Sequence, residues 1–141
     1  YKFDTSKQGA PRIKPDWAWS DAFREAVQTW RSAMKATIAA GQGREQSIEI
    51  QTIRIGDVMI IAVNGEMFTR FTELLRASPG LRVFAIAYAN AAFGYIPRKE
   101  AYAEGGYEVD TAHYFYNSFR PAKGGLELLA DRAIEMRTGK C

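Results

Sequence analysis

Residues 58–90 read VMIIAVNGEMFTRFTELLRASPGLRVFAIAYAN, and this stretch decides the fold. It opens on an unbroken apolar run, residues 58–63, which is strand-sized and reads as part of a buried sheet. After Asn64-Gly65-Glu66, the residues Phe68, Phe71, Leu74 and Leu75 recur at helical spacing until Ser78-Pro79-Gly80 stops them. Residues 81–89 again read as a strand. A strand, a helix and a second strand in this order imply two parallel strands joined by a helical crossover.

On the N-terminal side, residues 48–55 place β-branched side chains in near alternation, and Gly56-Asp57 supplies a turn, so residues 48–63 are expected to form a hairpin. Further upstream, Trp19, Phe23, Ala26, Val27, Trp30, Ala33, Met34 and Ile38 recur every three or four residues. This pattern predicts an amphipathic helix capped by Asp16, ending at Gly41, with Trp19 and Trp30 packing it onto a sheet. The fold class expected is α/β: a mixed sheet over residues 44–90 with a βαβ crossover, and a long helix before it. Residues 1–15 mix Gly, Lys, Ser and Pro without periodicity and read as an extended arm, leaving residues 16–141 as one unit.

On the C-terminal side, residues 91–125 form a long Gly- and Tyr-rich stretch, with a short helix expected after Pro97. A closing helix is expected over residues 126–138, before Gly139. Long connections inside a compact domain are uncommon and often functional. This one carries Tyr95, Tyr102, Tyr107, Tyr114, Tyr116 and the sole histidine, His113. It follows the carboxyl ends of the central strands, where open α/β sheets tend to bind ligands. Gly124-Gly125 before a helix reads as a turn leading into that helix, because no Gly-Lys-Ser/Thr follows to make a phosphate loop.

Composition narrows the function classes. The chain has 141 residues, 47% hydrophobic and 25% charged, enough for one core of domain size. Its net charge of +3 is spread along the chain without a basic stripe, which argues against nucleic acid as a partner. No apolar run approaches the roughly 20 residues of a membrane-spanning helix, so no transmembrane segment is expected. A single cysteine, Cys141, leaves no internal disulfide and no Cys-based zinc knuckle, and the compartment stays open. The sequence starts at Tyr1 with neither an initiator Met nor a leader-like pattern, so a trimmed polypeptide is expected.

Glu66 stands just past an apolar strand and just before a helix, where the sheet can aim a carboxylate rigidly. Position alone leaves two readings: a glutamate interacting with the helix dipole, or a ligand for a cation. Further features occur in order along the chain. Gly65-Glu66 is followed by Asn90, by Tyr95 five residues on, by Glu100-Ala101-Tyr102 and by Tyr107-Glu108. This ordered set resembles the neutral, non-lysosomal ceramidase family, amidases that cleave the N-acyl bond of ceramide. The resemblance covers residues 50–108, about half the chain, and the closing helix more loosely.

The resemblance implies that Glu66 and Tyr95 are carboxylate and phenolate ligands of a zinc ion whose other two ligands are histidines far upstream, in a missing N-terminal half of the same domain. His113 follows the Tyr107 motif and matches neither histidine. It is expected to be a partly buried or solvent-facing residue. Tyr107 matches the tyrosine that faces the substrate carbonyl. The implied substrate is an acyl-amide or lipid-like small molecule, and the family would place the protein in a secreted or periplasmic setting. The chain departs from the family at Asn64-Gly65-Glu66-Met67-Phe68, where a proline-led motif followed by Phe-Thr-Thr is usual, and at Ala92, where many members have tyrosine. The implied substrate is therefore an amide of an acylated amine in general. With two of four ligands the chain alone is expected to hold an incomplete zinc site. The alternative is a non-catalytic α/β interaction module whose tyrosines line a binding face. Such a module would tolerate phenylalanine at positions 66, 95 and 107.

Overall fold

A computed structural model of the chain describes residues 20–42, 45–80 and 82–138. The expected arm over residues 1–15, the Asp16 cap, Trp19, the sheet start at residue 44, Leu81, Gly139 and Cys141 lie outside the described residues. The chain order is α1 (Asp21–Ala39), β1 (Ile50–Ile55), β2 (Val58–Val63), β3 (Glu66–Met67), α2 (Arg70–Ala77), β4 (Arg82–Ile86), β5 (Tyr95–Ile96), α3 (Ala101–Glu104), α4 (Tyr107–Asp110), α5 (Ala112–Phe115) and α6 (Gly125–Thr138).

The expected α/β architecture is present. β1 and β2 form an antiparallel hairpin with Ile53 opposite Ile60 and Ile55 opposite Val58. β2 and β4 run parallel, Ile60 beside Phe84, with α2 as the crossover between them. The sheet order is β1-β2-β4. Because paired residues share a face, Met59, Ile61, Val63 and Val83 point together into one core, where α2 contributes Phe71 and Leu75, and α6 contributes Leu126, Leu129, Ala130 and Ala133. Ile61, Val63, Leu75 and Leu126 have no exposed surface, so each contributes roughly 1.5 to 3 kcal/mol by leaving water.

The other face of the sheet presents the row Ile53, Ile60 and Phe84, flanked by Ile55 and Ile86. Ile53 is 54% exposed and Phe84 57%. The sheet, expected from the sequence to be buried, is covered by α2 and α6 on one face and carries exposed apolar side chains on the other.

Two expectations are corrected. α1 begins at Asp21 with Ser20 as its cap, the Ser20 hydroxyl accepting from the Phe23 N–H at 3.2 Å. Its buried stripe, Phe23, Trp30 and Met34, packs on Tyr114 and Phe119 and not on the sheet. The Trp30 indole N–H donates to the Ser118 carbonyl at 2.7 Å, and the ring meets Tyr114 edge-on at 4.8 Å. The second correction concerns residues 91–125, where α3 is the short helix expected after Pro97 but β5, α4 and α5 were not anticipated. Elements of two to four residues are too short to show a hydrophobic period, so the sequence pattern hides them.

Candidate functional site

β2 and β4 end side by side at Val63 and Ile86, and the chain segments that follow them stay locked together. The Ala89 N–H donates to the Val63 carbonyl at 3.0 Å, and the Tyr88 N–H to the Gly65 carbonyl at 3.2 Å. The Glu66 N–H donates to the Gly94 carbonyl at 2.9 Å, and this bond opens the short parallel pair β3-β5. In that pair Glu66 and Tyr95 are register partners, as are Met67 and Ile96. Two residues that lie 29 positions apart in sequence are thereby held as neighbours by backbone geometry.

Two glycines allow this close approach. A Cβ on Gly65 would stand 2.7 Å from the Ile96 Cδ1, and one on Gly94, at φ +100°, would meet the Tyr116 ring at 3.0 Å. Asn64 is fixed beneath the segment, its side-chain oxygen accepting from the Glu49 N–H at 3.0 Å.

The Glu66 carboxylate sits among tyrosines. The phenols of Tyr88 and Tyr95 both interact with it by hydrogen bonding. The Tyr95 ring meets Tyr107 edge-on at 5.8 Å and Tyr116 edge-on at 6.2 Å. Tyr88 holds its position at φ +58°, a left-handed conformation rare for a bulky residue and a feature often found at functional sites.

The electrostatics follow from this grouping. The hydrogen bond to Glu66, then partial burial, then the Glu66 charge push the Tyr88 phenol up to about 12. Burial, the Glu66 charge and the hydrogen bond to Glu66 hold the Tyr95 phenol well above the usual tyrosine range. Burial raises Tyr107 as well, reinforced by Tyr116, Glu66 and Glu108. The carboxylates that raise these phenols are Glu66 for all three and Glu108 for Tyr107. The cup favours a cation, and without one its phenols stay protonated at neutral pH.

As a metal donor set the cup fits half of a zinc site. Glu66 would supply a carboxylate, and Tyr95 an oxygen able to ligate only if a cation offset the burial and the Glu66 charge that keep it protonated. Among the described residues no three His, Cys, Asp or Glu side chains converge to hold a metal.

All three residues expected from the sequence, Glu66, Tyr95 and Tyr107, come together here. Tyr88 and Tyr116 join them; sequence reasoning named Tyr116 only as one of the tyrosines of the long stretch, and missed Tyr88. Tyr88 was hidden inside the strand expected over residues 81–89, which ends at Ile86. A cleft of about 380 Å³ adjoins the site at Phe68 and Thr69, but the charges lining it are paired, Arg70 with Glu73 at 3.1 Å and Arg98 with Glu104 at 2.7 Å.

The Tyr107 turn is anchored from below by a buried ion pair. Arg120, 4% exposed, donates to Asp110 at 3.0 Å and to the Val109 carbonyl at 3.0 Å. The second oxygen of Asp110 accepts from the Gly106 N–H at 3.1 Å.

His113 belongs elsewhere. It is 4% exposed, more deeply buried than its sequence suggests, and packs against Trp30 and Tyr114 at 5.5 and 4.3 Å. Among the described residues neither ring nitrogen has a hydrogen-bond partner. Burial and then the Arg120 charge push its pKa down to about 4. The unfolded chain protonates this group near pH 6.5 and the folded chain only near pH 4, so the unfolded state binds the extra proton between those values. This contribution to stability is full above about pH 6.5 and drains away as pH falls to 4. Denaturant unfolding at pH 7 and 4.5 should show about 2 to 3 kcal/mol of loss that disappears in His113→Phe. An unchanged pH slope in that variant would contradict the assignment.

Compared with protein-family models, with curated proteins and with solved structures, the chain matches none. Among the described residues no helix is long and apolar enough to cross a membrane.

Proposed function

We propose that this chain forms part of a zinc-dependent hydrolase that cleaves the amide bond of an N-acylated amine, with an active centre completed by polypeptide outside the chain. The observation that carries the reading is the pairing of Glu66 with Tyr95 in β3-β5, among phenols raised by the Glu66 carboxylate. The same residues carry the resemblance to ceramidase-like amidases. Zinc, when bound, lowers the pKa of a water and polarises a carbonyl.

The chain's own residues have definable tasks. Glu66 offers the carboxylate, and the Tyr88 and Tyr95 phenols stand close enough to be raised by it. Tyr107 stays protonated through neutral pH and remains 38% exposed, so it can donate a hydrogen bond to an oxygen that gains negative charge. The sheet face carrying Ile53, Ile55, Phe84 and Ile86 supports the need for more polypeptide, since these side chains are apolar, exposed and on the sheet whose strand leads to Tyr88.

The test is amine release from a panel of N-acylated amines, ceramide-like ones included, by the full gene product stripped of metal and then reloaded with zinc. Release that returns with zinc supports the reading. A zinc-loaded protein that releases no amine from any member contradicts it. The interaction-module reading gains from the same uncovered face. It predicts that phenylalanine at positions 66, 95 and 107 leaves folding and partner affinity intact.

A further inference from the structure

The Tyr107 side chain rides on α4, a turn of four residues between Gly105-Gly106 and Thr111. Such a turn has too few internal hydrogen bonds to fix its own orientation. Both preceding glycines have positive φ, 79° and 117°, conformations that glycine adopts readily. The ring nevertheless meets Tyr95 at 5.8 Å and Phe115 at 6.3 Å. Something outside the turn holds it.

The contacts around Asp110 supply the answer. One carboxylate oxygen reaches back to the Gly106 N–H, just before Tyr107, and the other is held by Arg120. Arg120 also donates from Nε to the Val109 carbonyl, so one guanidinium grips the backbone and the side chain of the same turn. The guanidinium lies 5.4 Å from the centre of the Tyr102 ring, and the Tyr102 hydroxyl donates to the Pro121 carbonyl at 2.9 Å, next to Arg120 in sequence. Thr111 closes the far side, its hydroxyl donating to the Tyr107 carbonyl at 3.0 Å.

We propose that Arg120 is a positioning residue for Tyr107, its paired contacts with Val109 and Asp110 fixing the turn that aims the Tyr107 ring at Tyr95. This assignment rests on the reading of Tyr107 as the hydrogen-bond donor of the site. A lysine at 120 keeps the charge for Asp110 but cannot form the two-point grip, so it should restore part of the effect.

The test uses the chain with isotope-labelled tyrosine rings, the Tyr107 signals being identified through Tyr107→Phe. In folded Arg120→Gln the proton–proton Overhauser contact between the Tyr95 and Tyr107 rings should be lost, while the Tyr95–Tyr116 contact remains, and Arg120→Lys should recover part of the lost signal. If Arg120→Gln does not fold, Arg120→Lys and Asp110→Asn are read instead, each expected to lose at least half of the Tyr95–Tyr107 signal. A wild-type signal in any folded variant overturns the proposal. So does joint loss of the Tyr95–Tyr116 contact, or failure of all three variants to fold, since both assign Arg120 to the fold at large. No zinc or substrate enters this measurement, so the amidase reading and the positioning role fail separately.

Discussion

Tyr107→Phe in the zinc-loaded, complete protein is expected to lower kcat on an N-acyl amine by about 100- to 1000-fold, with zinc content unchanged. The change removes a hydroxyl and leaves the ring, so the edge-on contact with Tyr95 at 5.8 Å survives. What is lost is a donor fixed before the reaction, and a donor of this kind is worth about 3 to 4 kcal/mol at a developing oxyanion. Burial and the surrounding negative charge raise the Tyr107 phenol. The proton it donates is therefore present at neutral pH, and activity should not fall on the alkaline side below the ordinary tyrosine range near 10. Steady-state kinetics beside elemental analysis checks the prediction. A kcat within threefold of wild type would remove Tyr107 from the chemistry.

Arg120→Ala is expected to destabilise the fold by about 3 to 5 kcal/mol, the usual loss when one member of a buried ion pair is removed. The effect combines three changes. Asp110, 7% exposed, loses the guanidinium 3.0 Å away, the Val109 carbonyl loses its donor, and the Tyr102 ring loses the cation above it. Pairing Arg120→Met with Asp110→Asn should recover part of the loss. The neutral amide can still accept from the Gly106 N–H, and no buried charge is left uncompensated. Denaturant unfolding of the three proteins decides it. A loss under 1 kcal/mol in Arg120→Ala would mean that water already solvates the pair.

The parts of the fold that were legible in the sequence are those long enough to show a period. The alternation over residues 48–55, the turn at Gly56-Asp57, the apolar run over residues 58–63 and the spacing of Phe71, Leu74 and Leu75 led directly to β1, β2, α2 and β4. The closing helix was readable from its stop before Gly139 and starts at Gly125, one residue from its expected position. Trp30 was misread because a helix's buried stripe shows that it packs, not what it packs against.

The site was legible in part and for a different reason. Glu66, Tyr95 and Tyr107 could be named from their order along the chain, but their meeting depends on a two-residue parallel pair that no periodicity reveals. Tyr88 could not be read at all, because its left-handed backbone follows from bonds to Gly65 and not from its own preference. The Arg120 and Asp110 pair joins residues ten positions apart in a stretch with no regular pattern, and local spacing carries no sign of it.

The most direct test is zinc content of the full gene product by elemental analysis, beside the variant Glu66→Gln, which keeps the side-chain shape but removes the charge. The account predicts about one zinc per molecule in the first, no zinc in the second, and weak or no retention by the 141-residue chain alone, where Glu66 and Tyr95 are half of a four-ligand site. Equal zinc with and without the Glu66 charge, or none in the wild-type protein, would contradict it.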